Sequence, residues 1–560
     1  MGFISFIWKS LLKITFIFFL VTLMPGLPPY VQFTEFRVSE PPPLEGLLSV
    51  NSLLNNAEQL YSGKVHGPEA FADHKGVLYT GLHGGEIVKF VDGKVVPVAK
   101  FGKPCDGFWE ETKCGRPLGM KFGPDGLLYV TDAYYGLFKV NVNTGTKTQL
   151  VSADELIDGK INKIPNSVDV ADDGTVYWTS SSCNFHLNDG LFDLLADGSG
   201  RLIRYNPKTK SNEVLIDGLH FPNGVVVSPK EDFVLVAETT KSRIHRYYVE
   251  GPKKGSHDIF IDGLPGLPDN LKSDGQGGFL VPLIAVRDKN YPILFQSLGP
   301  FPLIRKFIAR ILALLEMPFE QINNIYPNYY AKRIVHWIGH FISARGLSAQ
   351  DTVILQLDVD GKIKHSYHNT DGSLSGISEA HWFDGAFYLG SPYNTYVGRV
   401  KLSFAEPPKS KQEQKPEPQK EQQSKPQQER QPPLPQQQQK TPSPPQQQQK
   451  PPPPQQQQKL SQHQKPSSPQ QQQQKPSSPQ QQQQQQKPSS PQQQQQQKPP
   501  SQQQQQEPSS QQQQQKPPSQ QQQQRPPSQQ QQQKPPSQQQ QEPPSQPPPP
   551  PPQRLHQNKP

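Results

Sequence analysis

From residue 65 to residue 402, apolar and polar positions alternate in short runs, and Gly, Asp or Asn ends each run. "GVLYTGL", "GLLYVTDAYYGLFKV", "GTVYWTSSS" and "DFVLVAE" read as strands, because successive side chains of a strand face opposite sides. Between such runs, "VDGK", "VNTGT" and "NPKTK" place Gly or Asn where a tight hairpin needs positive φ. The units recur at roughly 45–60-residue spacing, the range of four-stranded propeller repeats. They start near Gly67, Pro117, Pro165, Pro222, Pro268 and Gly376. The pattern predicts an all-β chain folded as a six-bladed β-propeller over 60–402, with a pair of β-sandwiches as the alternative.

One stretch inside this series has a different period. Leu303, Ile304, Phe307, Ile308, Ile311, Leu312 and Leu315 recur at helical spacing, with Arg305, Lys306, Arg310 and Glu316 between them. This predicts a helical insertion over about 300–346. It either caps the propeller or lies, as a basic amphipathic element, on a membrane surface.

The ends differ from the middle. Ile14 to Met24 is an apolar run behind Lys9 and Lys13, so 1–25 reads as a signal anchor forming a transmembrane helix, and 26–59 as a linker. The positive flank places the remainder in the lumen or outside the cell, a type II arrangement; secretion after signal cleavage is the alternative. Residues 403–560 are Gln, Pro, Lys and Ser, with too little apolar surface to offset the entropy of ordering, and read as a disordered tail. That tail changes the meaning of the charge. The whole chain is +9, but the residues from Glu406 onward are +11, which leaves −2 for the rest. A folded part so near neutral excludes nucleic acid as its partner. The tail's cations are spaced singly, and it serves as a spacer or offers itself to surface ligands.

Candidate chemistry lies at the strand starts. Glu69 in "GPE", Asn166 and Asn223 in "PN", and Asp269–Asn270 in "PDN" each follow a Pro at equivalent starts. In a propeller these positions face the central channel, and Pro fixes the backbone just before them. Carboxylates and amide oxygens without His or Cys suit Ca²⁺ rather than zinc or copper. "DVDGK" at Asp358–Lys362 lacks the downstream Glu of a calcium loop and reads as a hairpin turn. Cys105 and Cys114 bracket "CDGFWEETKC" and would form a disulfide in an oxidising lumen, leaving Cys183 as a small buried hydrophobe. No N-x-S/T sequon occurs, so a glycoprotein form would carry O-linked sugar, on the tail.

"CGRPLGMKFGPDGLLYVTDAYYGLFKV", "PNSVDVADDGTVYWTSSS", "LPGLPDNL" and "GISEAHWFDGAFYLGSPY" resemble the animal branch of the strictosidine synthase-like family, over about residues 60–402. The resemblance implies a six-bladed propeller, a type II anchor and a disulfide closing on "CGRPLG". Through the related paraoxonase-type and gluconolactonase-type hydrolases it implies a channel Ca²⁺, at ligand positions matched by Glu69, Asn166, Asn223, Asp269 and Asn270. The implied activity is arylesterase- or lactonase-like hydrolysis of a small-molecule ester or lactone. The resemblance also implies a His where this chain has Tyr134–Tyr135. Glu379, where the plant enzymes place a catalytic Glu, and His381 are the catalytic candidates, with His66 and His220 as further substitutes for the base. Strictosidine synthesis itself is not expected. The alternative is a non-catalytic cell-surface binding or adhesion protein in which Ca²⁺ only pins the fold.

Overall fold

Asp92 and Gly93 take φ of 49° and 69°, and so turn strand Glu86–Val91 back into Lys94–Lys100. The same chemistry recurs at "DVDGK". Gly361 has φ 84° and Asp358 N–H donates to the Lys362 carbonyl at 2.9 Å, so the segment is the hairpin turn its sequence predicts. These turns come from a computed structural model that describes residues 2–347 and 351–402; the expected tail over 403–560 lies outside the described residues.

Among the described residues, the strands form six sheets of four or five strands and one two-stranded ribbon. The first sheet spans 71–100, the second 117–152, the third 165–219 and the fourth 222–261. The fifth runs from Gly266–Pro268 to Ile363–Asn369, and the sixth from Glu379–Phe383 to Val397–Val400. Each is antiparallel in chain order, with its first strand innermost. The sixth gains an outer strand from far upstream, Glu58–Leu60, which pairs Leu60 with Val397 and Glu58 with Arg399.

The apolar core is divided into layers between neighbouring sheets. Ile87 and Leu128 meet between the first and second, Leu137 and Trp178 between the second and third, and Leu202 and Val234 between the third and fourth. Leu235 packs with Phe279 between the fourth and fifth, Ile354 with Phe387 between the fifth and sixth, and Val397 with Phe71 between the sixth and first. Every sheet therefore has apolar contacts on both faces, and the series closes on itself as a propeller-like ring. Hydrophobic burial is satisfied between the sheets, which leaves the axis free for polar side chains.

Helices occupy the ends and one insertion: α1 (Gly2–Leu23), α2 (Glu111–Cys114), α3 (Gly190–Leu195), α4 (Leu294–Ser297), α5 (Pro302–Ile325) and α6 (Tyr329–Gly339). Helix α1 has 22 residues, enough for about 33 Å at 1.5 Å per residue. Among the described residues it is the one helix long and apolar enough to cross a membrane. Helices α5 and α6 form the predicted insertion, placed inside the fifth sheet between strands Phe279–Val286 and Thr352–Leu357. Helix α5 also holds the end of α1. Phe307 meets Phe18 with ring centroids 5.0 Å apart, and Arg310 Nη1 donates to the carbonyls of Val21, Thr22 and Met24 at 2.7–3.0 Å. A guanidinium at a helix C-terminus satisfies carbonyls that have no partner within the helix.

The expected linker over 26–59 needs correction. Phe36, Leu48 and Leu54 are buried, and Glu58 already belongs to the sixth sheet. Their apolar side chains gain more by covering the sheet edges than the segment gains by remaining free.

Candidate functional site at the ring axis

The inner strands are laced together where the sheets converge. Thr131 Oγ1 donates to the Asn166 carbonyl, and Thr179 Oγ1 to that of Asn223 at 2.7 Å. Gly224 N–H reaches the Asp269 carbonyl at 3.1 Å, Asn270 N–H the Ser378 carbonyl at 3.1 Å, and Ser391 N–H the Pro68 carbonyl at 2.7 Å. Arg116 joins the second sheet to the first by donating to Gly67 O at 2.9 Å and to Glu69 Oε2 at 2.6 Å. Glu69, Asn166, Asn223 and the Asp269–Asn270 pair thus follow one another around the axis. All five are buried.

Three of them present one unpartnered oxygen each. Asn166 donates its amide Nδ2 to Ser181 Oγ at 2.8 Å, and the Asn223 side chain hydrogen-bonds the Asp269 carboxylate. Asn166 Oδ1, Asn223 Oδ1 and Asp269 Oδ1 remain buried with no donor among the described residues. A buried acceptor without a partner costs free energy, and several at one site point to a cation that supplies the missing contact. Asn270 differs: its unpartnered atom is Nδ2, so it joins the oxygen set only after a half-turn of its amide. The second sheet contributes no oxygen here, because Leu118 follows its opening Pro117 and lines the same cavity.

Charge points the same way. Glu69, Asp269 and Glu379 are all buried, and the charge of Glu379 adds to burial in raising the proton affinity of Glu69 and Asp269. Burial pushes Glu69 up to about 7 against the pull of Arg116, and pushes Asp269 well above the usual carboxylate range. Two cations face the three acids. Arg116 pairs with Glu69, and Lys272 Nζ lies 3.3 Å from Glu379 Oε1 while also donating to the Phe71 and Met120 carbonyls at 3.0 and 3.3 Å. Asp269 has no cationic partner among the described residues. The donor set, hard oxygens with one negative charge left over, fits Ca²⁺.

A cavity of about 370 Å³ opens onto this ring. Its polar end holds Glu69, Arg116, Asn166, Asn223, Asp269 and Tyr393, and burial with the charges of Asp269 and Glu69 raises the Tyr393 phenol above its ordinary value. Its walls are apolar, built by Leu191, Leu194 and Leu195 of α3, Ile308 and Leu312 of α5, and Phe341 just after α6. The helical insertion therefore forms part of the cavity wall.

Glu379 and His381 do not line that cavity. Glu379 lies behind the ring, its Oε1 accepting the Phe71 N–H at 2.7 Å. His381 Nε2 lies 3.0 Å from Asp73 Oδ1 on the first sheet. His220 packs on Phe36, with burial bringing its pKa down to about 4, and also lies outside the cavity. Tyr134 donates to Glu111 Oε1 at 2.5 Å and is used structurally. Arg116, Lys272, His83 and Tyr393 were not apparent from the sequence, since each acquires its role through partners on other sheets or loops.

Cys105 and Cys114 are disulfide-bonded, and the loop they close seats α6. Lys332 pairs with Glu110, Arg333 lies over the Trp109 ring, and His336 meets Phe108. Glu111, His336 and His340 gather within 4.8 Å of one another. His340 Nδ1 accepts the Ile342 N–H at 3.2 Å, so its neutral ring carries its proton on Nε2, the nitrogen 3.7 Å from Glu111. Cys183 is free and half-buried, with burial pushing its thiol up to about 11.

Family models for strictosidine synthase and for the N-terminal part of strictosidine synthase-like proteins match residues 166–252 and 46–90. Adipocyte plasma membrane-associated protein Hemomucin of Drosophila melanogaster is 43% identical over 418 residues, covering 73% of this chain and 72% of that protein. Adipocyte plasma membrane-associated protein of Gallus gallus is 38% identical over 65% of this chain and 82% of its own length; the Homo sapiens protein is 37% identical with the same coverage. Among solved structures, a gluconolactonase from Xanthomonas campestris aligns at TM-score 0.40 and 14% identity, over 68% of this chain and 99% of its own. Regucalcin from Agrobacterium tumefaciens aligns at TM-score 0.39 and 10% identity, over 63% and 96%.

Proposed function

The chain belongs to the strictosidine synthase-like family, in the branch of adipocyte plasma membrane-associated protein and hemomucin, and from that premise we propose that it is a membrane-anchored, Ca²⁺-dependent hydrolase of aryl esters or lactones. The observation that carries this reading is the ring of unpartnered, buried oxygens at the floor of an apolar cavity. We read the six sheets as the six blades of a propeller and the ring as its channel. Glu69, Asn166, Asn223 and Asp269 hold Ca²⁺, with Asn270 as a fifth ligand after its amide turns. When bound, the ion supplies electrophilic pull on the carbonyl oxygen of the substrate. The walls from α3 and α5 bind the apolar part of the substrate, and Arg116 holds the Glu69 carboxylate in place. Glu379 contributes charge from behind the ring, and His381 takes no part in the chemistry.

Phenyl acetate is expected to be hydrolysed by the purified chain. Turnover is expected to disappear with a chelator, return with Ca²⁺, and fall at least about 100-fold in Asn223→Ala. Turnover indifferent to both would reject channel chemistry. One observation favours a second reading. Leu118 stands where other sheets supply an oxygen, which suits a binding protein whose ion is structural; Ca²⁺ binding without turnover would select that reading.

The relatives' plasma-membrane association extends to this chain through α1, with Lys9 and Lys13 on the cytoplasmic side. Helix α5 is docked on the end of α1, and Leu315, Ile325, Tyr330 and Trp337 are exposed on α5 and α6. We place that face in the bilayer interface, where Trp and Tyr are enriched. In sealed vesicles the sheets are expected to resist added protease, and Trp337→Phe to remove part of the tryptophan quenching by interface-brominated lipid. Protease-sensitive sheets, or quenching unchanged by the substitution, would reject this placement.

A further inference from the structure

We propose that the Tyr393 hydroxyl is a catalytic hydrogen-bond donor to the carbonyl oxygen of the substrate, an assignment that rests on the hydrolase reading above. The segment around it is zipped to the strand start that carries Glu69. Ser391 N–H donates to Pro68 O at 2.7 Å, and Gly67 N–H donates to Asn394 O at 2.8 Å. Tyr393 sits between these two bonds, beside Glu69 and facing the same cavity. A third tie comes from His83, whose Nε2 donates to Pro392 O at 2.8 Å. The left-handed backbone of Gly67 makes room for that His83 ring, since a Cβ there would stand 2.2 Å from His83 Cδ2.

The phenol ring is fixed as firmly as the backbone. The Arg345 guanidinium lies 5.0 Å from its centroid, and a Cβ on Gly376 would stand 3.3 Å from Tyr393 Cδ2. None of these contacts uses the hydroxyl, which has no partner among the described residues. A phenol is protonated at neutral pH, so the group faces the cavity as a positioned donor with its hydrogen bond unspent.

Hydrolysis gives that bond a use. Water adds to the carbonyl carbon as it loses a proton to solvent, and the C=O π pair moves onto the carbonyl oxygen. That oxygen then accepts the Tyr393 O–H. The intermediate expels the alkoxide or phenoxide, which is protonated by solvent, and the carbonyl re-forms as the carboxylic acid. Tyr393 ends as it began, still protonated. A donor aimed at the developing oxyanion strengthens its contact in the transition state and is worth roughly 10²–10³ in kcat.

The test uses Tyr393→Phe in the full chain, with phenyl acetate and 4-nitrophenyl acetate as substrates and an alkyl phosphonate monoester as a tetrahedral analogue. Turnover is expected to fall about 100-fold through kcat, equally for both esters, with KM and Ca²⁺ affinity unchanged and phosphonate binding weakened in parallel. Equal rates in variant and wild type, or a loss confined to KM, would overturn the assignment. So would a loss that shrinks for the better leaving group, which would make Tyr393 an acid toward the departing oxygen. If Asn223→Ala abolishes turnover and Tyr393→Phe does not, this assignment alone falls. If the wild-type protein hydrolyses neither ester, both readings fall.

Discussion

Asp269→Asn is expected to weaken Ca²⁺ binding at least about 100-fold while making the Ca²⁺-free protein more stable than wild type. The opposite signs follow from the charge inventory. Of the three buried acids, Glu69 has Arg116 and Glu379 has Lys272, but Asp269 has only neutral partners among the described residues, the Asn223 amide and the Asn270 N–H. A buried anion without a cation is costly, and Asn keeps the shape of Asp while removing that charge. With Ca²⁺ present the ranking reverses, because the lost charge is the one the ion needs. At about 100 times its Kd, Ca²⁺ adds about 2.7 kcal/mol to the stability of wild type by mass action, and that increment falls to about 0.4 kcal/mol or less in the variant. Calorimetric titration and thermal unfolding with and without Ca²⁺ read both effects. A variant that binds Ca²⁺ as wild type does, or that loses stability without it, would remove the ion from this ring.

The parts of this arrangement that were legible in the sequence are those written in local chemistry. Turns such as Asp92–Gly93 and the alternation of "GTVYWTSSS" mark strands because each needs only its neighbours. The Pro before Asn166, Asn223 and Asp269 marks equivalent strand starts for the same reason, and the structure brings these three residues together with Glu69. Glu58–Leu60 was not legible as a strand. Three residues carry no period, and their partners at Val397–Val400 lie at the far end of the ring. Phe36 and Leu48 were hidden by the Pro-rich segment around them, which resembles a linker until the sheet edges it covers are known. Arg116 and Glu69 are 47 residues apart, and Lys272 bonds to the first and second sheets and pairs with an acid on the sixth from a short strand of the fifth. Long-range pairing of this kind leaves no mark on either segment. His381 misled through adjacency: it shares a strand face with Glu379 but stands two residues further along the strand, where it turns to Asp73.

If the ring depends on close approach of the inner strands, it should fail when that approach is blocked, even with every ligand side chain intact. Gly224 is the place to block it. A Cβ there would stand 2.3 Å from Leu271 N and 2.5 Å from Asp269 O, both backbone atoms that cannot swing aside. Gly224→Ala must therefore push the fourth sheet from the fifth and stretch the Gly224 N–H bond to Asp269 O, now 3.1 Å. Overpacking of this kind costs about 1–3 kcal/mol. The larger consequence falls on the ion, because Asn223 and Asp269 sit on either side of the wedge and ligand distances tolerate shifts of only about 0.2 Å. Ca²⁺ affinity is expected to drop about 10–100-fold, the range seen when the supports of metal ligands are removed. Gly390→Ala should act alike from the opposite side, where a Cβ would stand 2.2 Å from Glu69 O. Gly346→Ala, with nothing within 4 Å of its Cβ among the described residues, should change neither stability nor affinity. Titration calorimetry on the three variants decides the matter. A Gly224→Ala protein that holds Ca²⁺ as tightly as wild type would show that these oxygens do not act together on one ion.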